Sequence, residues 1–343
     1  MRIGVDLRYV YPDHVHGIGR YSLELVRAMV ARAPHHEWVA FVRDDFAEGV
    51  TRMPGVREVP CAPRPASLGT WFRMRRRIRA ERLDVFHALF PILPRRLPEV
   101  RTVVTFYDLQ AITIRGFGAG RGRAAALASS LFYRMAYRHA YREADSVLAI
   151  SHATANALRA RYGARPVGVT HAGLTNGMSP AAPVLTSLLT SEYGIRGPFL
   201  LTVANYRPHK NIAGLLRAYA AYRNRCGSLA APLVIVGVKD RFFPAIQTLI
   251  ADLGLATSVR CVGFVPDHEL PHFYRLAAAF VTLSLCEGFG LPVLEAMSHG
   301  TPVVAADRGS LPEVVGRAGL LVERDALRRR PRAFAPVYVA TRG

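Results

Sequence analysis

The sequence predicts an α/β protein of two doubly wound lobes facing a cleft, and three observations carry that reading. Short apolar runs rich in Val and Ile alternate with helical patterns, the alternation restarts after a linker, and 343 residues are too many for one ordinary core but enough for two. The first series runs "RIGVDL", a helix over Gly19–Ala33, "EWVAFV", "RTVVTF", a long helix around Leu127–Glu143, and "SVLAIS". Strands apolar on both faces that alternate with helices imply a parallel sheet covered on both sides. The stretch Ser179–Pro198, rich in Ser, Thr and Pro, reads as the linker. Beyond it come "FLLTV", a helix from about Ile212, "PLVIVG", a helix near Ile246, "VRCVGFV", a helix near Phe273, "AFVTLSL", a further helix and "TPVVAA". The expected domains are therefore 1–185 and 186–325, followed by a tail, 326–343, whose arginines and prolines show no helical period.

Composition narrows the function classes. The formal charge is +20, and of 45 basic residues only Lys210 and Lys239 are lysine. Such an excess predicts anionic partners: nucleic acid, an acidic membrane surface or a phosphorylated substrate. No apolar run reaches the roughly 18 residues of a membrane span. The opening "MRIGVDL" alternates like a strand and lacks the order of a secretory signal, so a cytoplasmic location is expected. The four cysteines stand far apart with no C-x-x-C pair, which indicates neither a disulfide framework nor a thiolate metal site.

Several motifs compete for attention. In "HGIGRYS" (His16–Ser22), Gly17 and Gly19 follow the first strand and open a helix, where a phosphate or sugar could approach backbone N–H groups. A simple turn reads equally well, because the third glycine of a dinucleotide fingerprint is Ser22. "HELPH" (His268–His272) matches a zinc-protease pattern, but Pro271 is tolerable only in a first turn, with Asp267 as the expected N-cap, so the two histidines straddle a helix start. His14 and His16 could form another metal site, but a solvated loop is the preferred reading. "LGTWFRMRRRIRAERLD" (68–84) sets Leu68, Trp71, Phe72, Met74 and Ile78 among six arginines at near-helical spacing. Packing on the first lobe is the preferred reading, and lying on anionic lipid is compatible with it, since the arginines face outward either way. "LTVANYRPHKNI" places Arg207 and Lys210 at a strand end beside a helix start, where exposed cations make a phosphate site, the alternative being a solvated turn.

"SLCEGFGLPVLEAMSHGTPVV" (Ser284–Val304) is the most specific stretch. Glu287 sits at a strand tip, the Gly-Phe-Gly turn is tight, and Pro292 starts a helix as a first-position proline does. The N–H groups of Gly288, Phe289, Gly290 and Leu291 then point into the cleft, and Glu295, one turn on, can reach a hydroxyl as a carboxylate does with a ribose diol; hydroxyl recognition is preferred over the alternative of two solvated acids at a helix start.

These residues resemble the retaining glycosyltransferases of family 4, which have the GT-B fold of two Rossmann-like lobes. The resemblance rests on "CEGFGLPVLEAM" with its E-x7-E spacing, and on "GIGRYSLELVRAM", "VVTFYDL", "READSVLAISHATANAL" and "LTVANYRPHKN" in the family's order. It spans nearly the whole chain and looks most like the mannosyltransferase-type branch. What it implies is transfer of a sugar from a nucleotide-diphosphate donor to a hydroxyl of a glycan or polyprenyl-lipid-linked acceptor, with GDP-mannose the favoured donor and no separate cofactor. By resemblance Lys210 and Arg207 take the diphosphate. Glu287 and the amides after it hold the sugar, Glu295 takes the ribose, and Gly17 and Gly19 approach from the other lobe. Tyr107 and Asp108 in "FYDL" are acceptor-side candidates, with Tyr107 where the branch usually has histidine. No D-x-D metal motif is present. The resemblance stops near Glu323, short of the helices that end the family's chains, so reduced activity is expected. The expected setting is synthesis of a cell-surface glycan at the inner membrane face, with peripheral contact through 68–84. The competing class is a non-catalytic binder of anionic surfaces or nucleic acid. It would need arginines interleaved with exposed aromatics, and outside Trp71–Arg79 they are scattered, so no specific nucleic acid is expected.

Overall fold

The computed structural model describes residues 1–10, 17–44, 53–62, 65–95, 97–114, 123–174 and 186–323. His14, His16, most of the expected linker's first half and the expected tail lie outside the described residues. The chain divides into two units after Gly173, earlier than the boundary expected after residue 185. The expected linker contains a helix, Thr186–Ser191, whose Leu189 is buried in the second unit's core.

In unit 1 the strands are β1 (Arg2–Asp6), β2 (Glu37–Arg43), β3 (Val56–Cys61), β4 (Val85–Ala88), β5 (Arg101–Phe106), β6 (Ser146–Ala149) and β7 (Gly168–Val169). They form one sheet in the order β3-β2-β1-β4-β5-β6-β7, every pair parallel. Its helices are α1 (Gly17–Arg32), α2 (Leu68–Ala80), α3 (Gln110–Thr113), α4 (Arg123–Glu143) and α5 (His152–Tyr162). Strand β2 shows why the sheet is covered on both faces. Val39 and Phe41 belong to one apolar cluster with Met74, Ile78 and Tyr141, whereas Trp38, Ala40 and Val42 join Val5, Val26 and Leu89 on the other face.

Unit 2 repeats the plan. After α6 (Thr186–Ser191) come β8 (Phe199–Val203), α7 (Ile212–Cys226), β9 (Leu233–Val236), α8 (Phe243–Asp252), β10 (Val259–Gly263), α9 (Leu270–Leu276), β11 (Ala277–Thr282), α10 (Leu291–Ser298), β12 (Val303–Ala306), α11 (Leu311–Val315) and β13 (Leu320–Val322). The sheet order is β10-β9-β8-β11-β12-β13, all parallel, which is the doubly wound order with its reversal between β8 and β11.

Every strand expected from an apolar run is present. Four strands, β3, β4, β7 and β13, and helix α5 fall outside the runs quoted above. β3 holds Pro60 and sets Arg57 and Glu58 side by side, as a strand at the sheet edge can, and β4 has only four residues, including His87. Helix α5 is announced by its cap instead, since the Thr154 N–H donates to Ser151 Oγ at 3.0 Å. Helix α9 begins with Pro271 in its first turn, but Glu269 and not Asp267 is the capping residue. His268 is exposed and His272 buried, and among the described residues no group of three or more His, Cys, Asp or Glu stands together as a metal site would require.

Candidate active site

Where a doubly wound sheet reverses its order, the loops leaving the two central strands part in opposite directions and open a crevice at the strands' carboxyl ends. In unit 2 those strands are β8 and β11, paired through Leu201 and Phe280. The loops that follow are 204–211 and 283–290, and they carry the cations and the first glutamate singled out above.

Three side-chain and backbone contacts join these loops. The Leu285 N–H donates to the His209 carbonyl at 2.8 Å. Asn211 Nδ2 donates to the Leu283 carbonyl at 2.9 Å. Lys210 Nζ donates to both oxygens of Glu287, at 2.7 and 2.9 Å. Lys210 is therefore not the exposed cation expected from the sequence. Its side chain is 18% accessible and that of Glu287 12%, so each charge is held by the other in a mostly covered setting. The backbone is shaped to bring them together. Pro208–Lys210 form a single 3₁₀ turn, and Asn211 then takes a left-handed conformation, φ 53°, rare outside glycine, before α7 begins. Beside it, a Cβ on Gly237 would stand 2.0 Å from the Ala204 carbonyl, so only glycine lets the β9 end approach this loop. His209, buried between Arg207 and Lys210, has its pKa pushed down to about 4 by burial and then by Lys210, leaving it neutral near pH 7.

The Gly-Phe-Gly turn is pinned from a third loop. Ser310 Oγ donates to the Phe289 carbonyl at 2.6 Å and to the Glu287 carbonyl at 3.1 Å. Gly290 caps α10 at φ 106° with no side-chain cap, and Pro292 occupies the first turn. Among the described residues no hydrogen bond engages the N–H groups of Gly288, Gly290 or Leu291. With α10 behind them they form an anion-accepting end, the more so because this helix has no acid in its first turn. Glu295 lies one turn further on, buried, and accepts from the Tyr274 hydroxyl at 2.7 Å.

In unit 1, α1 begins at Gly17, with Gly19 buried and Gly17 exposed. Tyr107, just after β5, is buried, and its hydroxyl meets Ser22 Oγ at 2.8 Å while its ring stands edge-on to Tyr21 at 5.4 Å. Burial raises its pKa, so it stays a neutral phenol that ties α1 to the end of β5. Asp108 Oδ1 accepts from the Gln110 N–H at 2.8 Å, turning the chain into α3. At the end of β1, Arg8 is buried and donates to both oxygens of Asp6, at 2.8 and 2.7 Å, and to Thr70 at 3.2 Å. A cavity of about 820 Å³ in unit 1, lined by Arg75, Glu99, Arg101 and Asp145 among others, sits at the amino ends of β5 and β6, the end of the sheet at which ligands do not collect.

Sequence reading missed Asn211, Ser310, Gly237 and Tyr274, and the Asp6–Arg8 pair. The strand-to-helix turn "KNI" and the small pair "GS" before "LP" were the available signals for the first two.

Comparison with known proteins decides the family. The model described as Glycosyltransferase Family 4 matches residues 15–174, and the model described as Glycosyl transferases group 1 matches 193–327. The chain belongs to glycosyltransferase family 4. The match runs a few residues past Glu323, where the sequence resemblance was expected to stop. An O-antigen chain mannosyltransferase B of Escherichia coli is 29% identical over 325 residues, covering 90% of this glycosyltransferase and 83% of that protein. Two solved structures share the GT-B fold. The sucrose-phosphate synthase of Thermosynechococcus elongatus superposes with a TM-score of 0.76 at 19% identity, covering 99% of this chain and 90% of its own. Anabaena Alr3699/HepE, in complex with UDP and glucose, gives 0.70 at 20% identity over 99% and 91% of the two chains. The non-catalytic alternative finds no support among these relatives.

Proposed function

We propose that this glycosyltransferase moves mannose from GDP-mannose to a hydroxyl of a glycan or lipid-linked acceptor during cell-surface polysaccharide synthesis, with retention at the anomeric carbon. The observation that carries the reading is the triple tie between loops 204–211 and 283–290 at the unit 2 reversal point. It sets Lys210 and Glu287 against the amino end of α10. The O-antigen relative supports the acceptor class and the sugar, and the structure of HepE with UDP and glucose supports a nucleotide-sugar donor.

In this reading Lys210 and Arg207 take the diphosphate, whose negative charge grows as the glycosidic bond breaks. Cations and helix amides already in place lower the barrier because they need no reorganisation when the charge forms. Lys210 is shared between Glu287 and the diphosphate, and its bond to Glu287 aims that carboxylate at the sugar hydroxyls. The backbone of Gly288, Phe289, Gly290 and Leu291 lines the same end. Glu295 takes the ribose diol, oriented by Tyr274. Gly17 and Gly19 are donor-binding candidates, and Tyr107 and Asp108 acceptor-side ones, Tyr107 by holding α1 and not by offering its engaged hydroxyl. The protein works at the cytoplasmic face of a membrane, resting on anionic lipid through 68–84.

The test is a thermal-shift screen of GDP-, UDP-, dTDP- and ADP-sugars, followed by transfer with the best donor and NMR assignment of the product's anomer. A true donor at 100 times its dissociation constant adds about 2.7 kcal/mol of stability. Stabilisation by GDP-mannose and a product of retained configuration is expected. Absence of stabilisation by any nucleotide sugar, or an inverted product, overturns the reading.

A further inference from the structure

Eleven large apolar side chains stand exposed among the described residues, and five of them lie on two helices of unit 1: Leu68 and Phe72 on α2, and Leu127, Leu131 and Met135 on α4. Their accessibilities run from 46% to 72%. Leu127, Leu131 and Met135 are spaced four apart and form one row along α4. Scattered exposed leucines are ordinary, but a row of three is not.

The two helices share an edge. Trp71 of α2 packs on Phe132 of α4 at 5.6 Å and on His139 at 6.0 Å between ring centroids. Leu68 and Phe72 flank Trp71 on α2. On α4, Met135 sits next to Phe132 by helical rotation, which puts the exposed row beside the face that meets α2. The charges follow the same layout. Arg134, Arg138 and Arg142 make a parallel exposed row on α4, and Arg73, Arg76, Arg77 and Arg79 are exposed on α2. Helix α2 contains no acid, and Glu143 is the one acid of α4. No helix among the described residues is long and apolar enough to cross a membrane, so an apolar row set between arginine rows suits lying on a surface.

We propose that α2 and α4 together form one membrane-docking surface, with Leu127, Leu131 and Met135 entering the acyl boundary of an anionic leaflet and the arginine rows meeting its headgroups. This extends the 68–84 contact of the proposed function and rests on it for the choice of lipid. The choice is argued from charge: a second copy of the same chain would bring arginine against arginine, whereas an anionic lipid surface is complementary.

The experiment is co-sedimentation of the full chain with vesicles of equal parts phosphatidylglycerol and phosphatidylcholine, against phosphatidylcholine alone, alongside light scattering of the free protein. The expected result is binding to the anionic vesicles only. Leu127→Ser with Leu131→Ser should weaken partitioning about tenfold or more, and Arg134→Gln and Arg138→Gln about fivefold each. Melting temperature and release of sugar from donor in solution should be unchanged by these variants. If Phe72→Ser weakens binding while the α4 variants do not, the 68–84 contact stands and the α4 surface is refuted. Failure of the wild-type chain to bind anionic vesicles overturns both. A self-associated species that the leucine variants dissolve, with no vesicle binding, assigns the row to a second copy and also overturns the proposal.

Discussion

Replacing Lys210 with alanine should damage both stability and chemistry, and the two effects separate cleanly. The substitution leaves the Glu287 carboxylate, only 12% accessible, without the two short hydrogen bonds that now hold it. An exposed ion pair is worth at most about 1 kcal/mol, and breaking a fully buried one costs about 3–5 kcal/mol. This pair is covered but not sealed, so a loss of about 1–3 kcal/mol is expected, or roughly 3–9 °C in Tm for a unit of this size. Adding Glu287→Gln removes the stranded charge and should restore most of that loss, while Glu287→Gln alone leaves Lys210 closer to solvent and costs less. Turnover with saturating donor should fall about 10²-fold or more in Lys210→Ala, since a cation on the leaving diphosphate is gone. Differential scanning calorimetry of the four proteins, with initial rates of transfer, makes the measurement. A Tm unchanged in Lys210→Ala, or no recovery in the double variant, refutes the paired-charge argument, and unchanged turnover removes Lys210 from the chemistry.

The remaining expectations concern neighbouring groups. Glu295→Gln should weaken free GDP binding by calorimetry, and Tyr274→Phe should do so about three- to tenfold by releasing the carboxylate it orients; Glu287→Gln should spare free nucleotide and lower transfer. Asn211→Gly keeps the left-handed turn and loses the bond to Leu283, so Asn211→Ala, which also strains the backbone, should be less stable by about 1 kcal/mol more in urea denaturation. His87 is buried with its pKa pushed down to about 4 by burial, and His209 shifts the same way. A histidine whose folded pKa is depressed below about 6.5 leaves stability whole above that pH and draws it down as pH falls toward 4. His87 alone should cost about 2 kcal/mol by pH 5, and replacing it with Asn should flatten that part of a Tm-against-pH curve.

Much of the plan was legible because parallel strands buried on both faces write themselves as apolar runs. β2, β8 and β11 are of this kind, and their helices keep a 3.6-residue period. What escaped were elements stabilised by something other than an apolar run: β3 at the sheet edge, β4 with its buried His87 bonded to Thr105 at 2.8 Å, and α5 with its serine cap. The site was legible where glycines, prolines and acids cluster in sequence, as from Glu287 to Glu295. It was illegible where the partner is remote in the chain. Nothing near Lys210 announces that its charge is met by Glu287, or that Ser310 fastens the Gly-Phe-Gly turn, since strand pairing alone brings those loops together. The same limit hid the division of α2, whose Trp71, Met74 and Ile78 are buried while Leu68 and Phe72 remain outside.

The central claim is that the two loops at the unit 2 reversal point hold the nucleotide-sugar donor. Hydrogen exchange of the full chain with and without saturating GDP-mannose tests it most directly, because the amides in question belong to short, separable segments. Slowed exchange is expected, confined within unit 2 to 207–211 and 287–295, retained on Glu287→Gln and diminished in Lys210→Ala. Protection elsewhere in unit 2, with these segments unchanged while the protein still transfers sugar, would contradict it.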